Sequence, residues 1–165
     1  MEGWISFDTE LGWIALAWGA DGLRLLRFTG GQAIEAEGRP PAWVRRAVEA
    51  LTRHGAGRPS ELAQIPLALA SLSPFARRVT DALRATRPGE TLTYGHLAAL
   101  AGSPGAARAV GRAVANNPLP ILIPCHRVVS ANGPGGFSLF GGPEIKARLL
   151  ALDALLEGHG AATPR

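Results

Sequence analysis

A proline-fenced apolar run, Leu119 to Pro124 ("LPILIP"), leads without a break into Cys125-His126-Arg127 and then Val128-Val129. A segment this apolar belongs inside the fold, and its length and flanks read as a buried strand. The triplet therefore carries a thiol, an imidazole and a guanidinium toward the interior. Cys125 is the only cysteine in the chain. An internal disulfide and a cysteine-rich zinc site are both excluded, and a reducing compartment is favoured. A lone cysteine is ordinarily a small core hydrophobe, so its neighbours must decide whether it is chemical.

At 165 residues the chain is the size of one domain, or of a small domain joined to a larger one. No apolar run approaches a membrane span, and "MEGWISFDTE" lacks the basic start and apolar middle of a signal peptide. A cytoplasmic protein without membrane association is expected. The formal net charge of +4 is unevenly spread: residues 1–73 hold seven arginines against eight acids, residues 74–127 seven against two. The basic block ends at Arg127. It fits a solvated face, and it is also the electrostatic footprint of a nucleic-acid binder.

The expected fold class is α/β (α+β): a small N-terminal β-hairpin or sheet plus a helix over 1–70, with its linker, then a mainly helical, winged-helix-like part over 71–165. "LGWIALAW" and "GLRLLRF" are strand-like and join through an Asp21-Gly22 turn signal. "WVRRAVEALTRH" spaces Trp43, Ala47, Val48 and Leu51 along one helix face. "HGAGRPSELAQIP" reads as a linker. Ser73 as cap and Pro74 at the first position open a helix whose stripe is Phe75, Val79 and Leu83. Two short helices follow, "TYGHLAALA" and "GAARAVGRAVANN", in a helix-turn-helix arrangement. In the second, Ala107, Val110, Gly111 and Val114 share a packing face, while Arg108, Arg112 and Asn116 line the other. That outer face is poor in base-reading side chains, which favours backbone-directed binding over sequence-specific regulation. "SANGPGGFSLFGG" is a glycine-rich loop, the last helix buries Ile145, Leu149, Leu152 and Leu156, and "GHGAATPR" reads as a frayed tail.

A thiol is nucleophilic as thiolate, and an adjacent imidazole or guanidinium lowers the cost of that charge. In an extended segment, however, Cys125 and His126 point to opposite faces. A water relay or a turn at Pro124 is then required to couple them. If His126 is the base, a carboxylate should orient its other nitrogen; Asp153, beside Leu149 at the edge of the last helix's stripe, is best placed. Chemistry on a base inside a duplex requires that nucleotide to be extruded. An arginine on the exposed helix face could fill the space and Tyr94, the only tyrosine, could crowd the neighbouring phosphate.

"PILIPCHRVV" and "LTYGHLAALAGSPGAARAVGRAVANNP", in that order and spacing relative to the closing "KARLLALD", resemble the O6-alkylguanine-DNA alkyltransferases, the methylated-DNA–protein-cysteine methyltransferases. The close resemblance covers residues 73 to 157. It implies irreversible, single-turnover transfer of an alkyl group from O6 of guanine, and possibly O4 of thymine, to Cys125, with His126 acting through a bound water. It implies Asp153 as the partner of His126 and Asn117 as a hinge between recognition helix and thiol. Arg108 would replace the flipped base, Tyr94 would rotate its phosphate, and Ala107, Arg112 and Arg127 would complete the DNA contacts of a helix laid in the minor groove. The implied partner is double-stranded DNA carrying O6-alkylguanine, with no cofactor, no metal and a monomeric chain.

Two departures stand out. The family usually has Glu where this chain has Asp153, one methylene shorter. The loop "GPGGFSLFGG" is longer than in some members, which displaces Ser138 relative to the glycine pair. Other readings of the same residues are a non-catalytic sensor of alkylated DNA, a cysteine hydrolase and a transcription regulator. Cys125 argues against the sensor, the absence of a separated histidine and an oxyanion site against the hydrolase, and the scarcity of base-reading side chains against the regulator.

Overall fold

The computed structural model describes residues 2–133, 135 and 142–160. Most of the glycine-rich loop, Ser138 included, and the end of the expected tail, residues 161–165, lie outside the described residues.

The N-terminal hairpin is part of a three-stranded antiparallel sheet, β1 (Gly3–Phe7), β2 (Ile14–Gly19) and β3 (Gly22–Phe28), in that order. β1 escaped the sequence reading because all five of its residues are half-buried, so it lacks the in-out alternation that marks β2. There Ile14, Leu16 and Trp18 are buried, with Ala15 and Ala17 less so between them. A bulge beside Trp18 pairs Ala17 with Leu25 but Trp18 with Leu23, which leaves Arg24 unpaired in the ladder and exposed.

Helix α1 (Ala42–Gly55) buries Val44, Ala47 and Leu51 and ends the same stripe on His54. Trp43 and Val48, expected on this face, flank it half-buried. The stretch that follows is more than a linker. Leu23 N–H donates to Pro66 O at 2.9 Å and Ala68 N–H to Leu23 O at 2.9 Å, so Leu67 bridges to β3 as a strand would. Gly22 is required at this crossing: its φ is +138°, and a Cβ there would lie 2.7 Å from the Pro66 carbonyl oxygen.

Ser73 Oγ accepts from Ala76 N–H at 3.2 Å and caps α2 (Pro74–Arg84), in which Val79 and Leu83 are buried. Then come β4 (Leu92–Thr93), α3 (Tyr94–Leu100) and α4 (Ala107–Ala115), the expected helix-turn-helix. Thr93 Oγ1 caps α3 by accepting from His96 N–H at 3.2 Å. β4 pairs in parallel with β5 (Val128–Val129), Leu92 beside Val128 and Thr93 beside Val129. This short pair fastens the start of the helix pair to the residue after Arg127.

The run from Leu119 to Ile123 is buried, but it is not a strand. Ile123 N–H donates to Leu119 O at 2.8 Å, closing a tight turn. Pro118, Pro120 and Pro124 each fix φ and withhold the N–H a ladder would need. Inside the turn Ile121 has φ +73°, the one non-glycine residue at positive φ among the described residues. Such a backbone costs about 1–2 kcal/mol. Burial of the Ile121 side chain, 5% exposed, offsets this with roughly 1.5–3 kcal/mol.

Helix α5 (Gly142–Gly160) closes the chain. It buries Ile145 and Leu149 as expected, with Leu152 and Leu156 only half-buried, and the same stripe carries Lys146 and Asp153, 2% and 1% exposed. One continuous apolar cluster runs from Leu11 to Leu149. Backbone contacts also join the early and late parts of the chain: Leu26 N–H donates to Pro118 O at 2.8 Å. Arg148 of α5 donates to the carbonyls of Glu10 and Leu11.

Candidate active site

Pro124 ends the Leu119–Ile123 turn, and Cys125–Arg127 form a single turn of 3-10 helix, closed by Arg127 N–H to Pro124 O at 3.1 Å. The expectation of opposite-facing neighbours in an extended segment is thereby corrected. The turn at Pro124 is present, but it brings no hydrogen bond between the two side chains: His126 Nδ1 has no partner among the described residues. All three residues of the triplet are buried, Cys125 to 3% exposure.

Burial determines what the triplet needs. His126 Nε2 lies 2.9 Å from Asp153 Oδ2, and Arg127 donates through Nε to the same oxygen at 2.6 Å and through Nη2 to Oδ1 at 3.0 Å. Burial alone would push the Asp153 carboxyl up, but the hydrogen bonds of His126 and Arg127 outweigh it and hold the pKa at about 2. The carboxylate is then an acceptor only, so His126 Nε2 must carry its hydrogen. Burial pushes the imidazole below its ordinary value against the pull of Asp153, which leaves the ring neutral at pH 7. Its Nδ1, buried and without a hydrogen-bond partner among the described residues, is the lone pair available to take a proton. Asp153, despite lacking one methylene of the family's usual Glu, reaches both partners within 2.6–3.0 Å.

Arg127 corrects a second expectation. Its Nη1 donates to Thr86 O and Oγ1 at 2.8 and 2.9 Å, and its remaining bonds go to Asp153. A guanidinium 7% exposed and committed in this way is unavailable to a phosphate. It braces the turn against the loop that follows α2 and against α5.

The backbone that carries the sulfur is held by a short hydrogen-bond network. Cys125 N–H donates to Ile123 O at 2.7 Å, and the same oxygen accepts from Asn117 Nδ2 at 2.8 Å, while Asn117 Oδ1 accepts from Leu119 N–H at 3.0 Å. Burial pushes the thiol above its ordinary pKa; a hydrogen bond from Asn117 and the charge of Lys146 oppose this. The neighbours of Cys125 therefore do not make it a resting thiolate. Lys146 Nζ donates to Val128 O at 2.6 Å, and burial lowers its own pKa while the sulfur raises it.

Around this centre, Tyr94 opens α3 half-buried, and a Cβ at Gly135 would stand 3.6 Å from its hydroxyl. Arg108, Arg112 and Asn116 are exposed on the outer side of α4, with Val110 buried on the inner; Ala107, at the helix start, is half-buried. Lys146, Thr86 and His54 were missed by the sequence reading. Lys146, the only lysine, stands three residues before Leu149 and seven before Asp153, so helical spacing could have found it. His54 continues the Ala47–Leu51 stripe of α1 at helical spacing and could have been found the same way, whereas Thr86, in a loop, gave no periodic signal.

A buried thiol sharing one turn with a carboxylate-paired imidazole, tied by a strand pair to a helix-turn-helix with an arginine-lined outer face, defines a cysteine-nucleophile protein of the DNA-associated class. Residues 74–155 match the family model described as "6-O-methylguanine DNA methyltransferase, DNA binding domain". The methylated-DNA–protein-cysteine methyltransferase of Methanosarcina acetivorans is 38% identical over 156 residues, covering 89% of this chain and 95% of that protein. The mouse protein of the same name is 49% identical over 89 residues, and the match spans only 42% of its length. Among solved structures, the Mycobacterium tuberculosis O6-methylguanine methyltransferase superposes with a TM-score of 0.78 at 36% identity, covering 93% of each chain. The Mycobacterium tuberculosis OGT in complex with DNA gives 0.77 at 35%, covering 92% of each. This chain belongs to the methylated-DNA–protein-cysteine methyltransferase family, as "PILIPCHRVV" implied.

Proposed function

We propose that the chain repairs duplex DNA by moving the alkyl group of O6-alkylguanine, and of O4-alkylthymine where it is accepted, onto Sγ of Cys125. The proton of the thiol passes through a water to His126 Nδ1, which has no partner among the described residues, as Asp153 steadies the charge that forms on the ring. The sulfur lone pair forms a bond to the alkyl carbon, and the bond from that carbon to O6 breaks with its electron pair staying on guanine. Guanine takes up the proton and leaves as the normal base. The thioether has no good leaving group, so each chain acts once.

The observation that carries this reading is the buried Cys125-His126-Asp153 arrangement mounted on the turn that β5 ties to the helix-turn-helix. In it, Arg108 fills the space of the extruded base, Tyr94 crowds its phosphate, Ala107 and Arg112 complete the minor-groove contact, and Asn117 links α4 to the thiol. Residues 71–165 make the DNA-binding and transfer unit, residues 1–70 the smaller N-terminal one. The chain works as a monomer in the cytoplasm without a cofactor.

Intact-mass measurement after mixing with duplex carrying O6-methylguanine tests it: the expected gain is one methyl group per chain. An unchanged mass with undiminished DNA binding would make the protein a sensor, and many turnovers per chain a hydrolase. Arg108→Ala should slow repair of duplex far more than transfer from free O6-benzylguanine; equal losses would remove Arg108 from its role.

A further inference from the structure

The turn that precedes the thiol contains the one backbone conformation among the described residues that its own side chain disfavours. Ile121 is β-branched and sits at φ +73°, where glycine would be the unstrained choice. A glycine, however, samples both signs of φ readily, and nothing would then hold the turn in one state. Ile121 is buried to 5% exposure, so its side chain is pinned in the core and the turn is pinned with it. What that turn presents is the Ile123 carbonyl. The oxygen accepts from Asn117 Nδ2 at 2.8 Å and from Cys125 N–H at 2.7 Å, and Asn117 Oδ1 accepts from Leu119 N–H at 3.0 Å on the other side of the turn. Ile123 N–H to Leu119 O at 2.8 Å closes the loop. Every hydrogen bond that fixes the backbone of Cys125 on its N-terminal side thus passes through a turn whose geometry depends on residue 121.

We infer that Ile121 is a positioning residue for alkyl transfer: its buried, branched side chain locks the left-handed turn that aims Ile123 O and so sets the place of the Cys125 sulfur. The inference rests on the proposed reaction. A misplacement of about 1 Å arising away from the chemistry costs on the order of 100-fold in rate, so the turn has ample leverage.

The test compares Ile121→Gly, Ile121→Ala and Ile121→Val. Free O6-benzylguanine is the alkyl donor, which removes DNA binding from the measurement, and urea midpoints report stability. Glycine relieves the backbone while alanine keeps the strain without the packing, so the glycine variant should unfold at a urea midpoint no lower than the alanine variant. It should nevertheless transfer at least about tenfold more slowly than the parent, and valine, which keeps the branch, should restore the rate to within about twofold. Iodoacetamide labelling of Cys125 needs no transfer chemistry: the glycine variant should label about tenfold faster than the parent and the valine variant at the parental rate, as expected of a released sulfur. Equal labelling in glycine variant and parent, parental transfer by the glycine variant, a valine variant as slow as glycine, or a glycine variant less stable than alanine would each overturn the inference. A parent that gains no benzyl group would refute the proposed reaction instead, and the labelling and stability comparisons would still decide the geometry of the turn.

Discussion

His54 offers a quantitative test of how the fold holds the site. It ends the buried stripe of α1, its Nε2 is buried without a partner among the described residues, and burial lowers its pKa to about 4 against an upward pull from Asp153. In the unfolded chain the imidazole titrates near its ordinary 6.5. Between those values the unfolded state binds the extra proton, so the full stability holds above about pH 6.5 and is lost as pH falls toward 4. The complete loss is roughly 3 kcal/mol, and about 2 kcal/mol of it is felt by pH 5. Against a total of about 5–15 kcal/mol for a domain of ordinary stability, that is a large fraction. His54→Phe removes the titration, and the cavity of about 440 Å³ that His54 lines leaves room for the larger ring.

Urea unfolding of parent and variant at pH 7 and pH 5 reads the difference directly. With a slope of about 1–3 kcal/mol per molar urea, the parent's midpoint should fall by on the order of 1 M more than the variant's. Lowering of the pKa of His126 by burial acts in the same direction in both proteins and cancels in the comparison. If both midpoints fall equally between the two pH values, His54 is not the buried neutral group described here.

The other predictions concern the charged groups of the site and one helix cap. Asp153→Asn strips Arg127 of its counter-charge in a buried position, which should cost about 3–5 kcal/mol in urea unfolding; a loss below 1 kcal/mol would mean that solvent reaches the guanidinium. Lys146→Met removes a charge that favours the thiolate, so the pH profile of iodoacetamide labelling at Cys125 should move to higher pH, and an unmoved profile would remove Lys146 from the electrostatics of the sulfur. Ser73→Ala, which deletes the cap of α2, should cost about 1 kcal/mol without altering transfer from free O6-benzylguanine.

The elements that could be read from sequence are those whose signal is local. β2 alternates, α1 and α2 bury residues at helical spacing, and Ser73-Pro74 announces a helix start that Ser73 Oγ and Ala76 N–H then build. β1 shows neither signal, because each of its residues is half-buried. The Leu119–Ile123 run misled for a different reason. Apolar composition reports burial, which is correct, but the hydrogen-bonding capacity of the backbone decides between strand and turn, and three prolines withhold N–H groups that a ladder would use. Asp153 was legible because helical spacing puts it beside Leu149. Arg127 was not, since a charge concentrated in one segment says nothing about which guanidinium turns inward to meet a carboxylate 26 residues away.

The inward turn of Arg127 bears on why this site can be buried at all. A thiol held above its ordinary pKa and an imidazole held below its own form a neutral pair at rest, which spares the interior an ion pair it would otherwise have to solvate. The charge that is present, Asp153 against Arg127, satisfies itself through two hydrogen bonds and leaves the carboxylate one further contact, the 2.9 Å bond to His126. That contact gains strength when the imidazole takes a proton, because the pair then becomes ionic in a low-dielectric setting. Lys146 lies close enough to act through its charge on the sulfur, the other group in the proposed proton transfer. In the proposed transfer Asp153 favours the imidazolium and Lys146 the thiolate, while the charges of Arg127 and Lys146 oppose the imidazolium, so ionisation of Cys125 awaits an electrophilic carbon that consumes the thiolate.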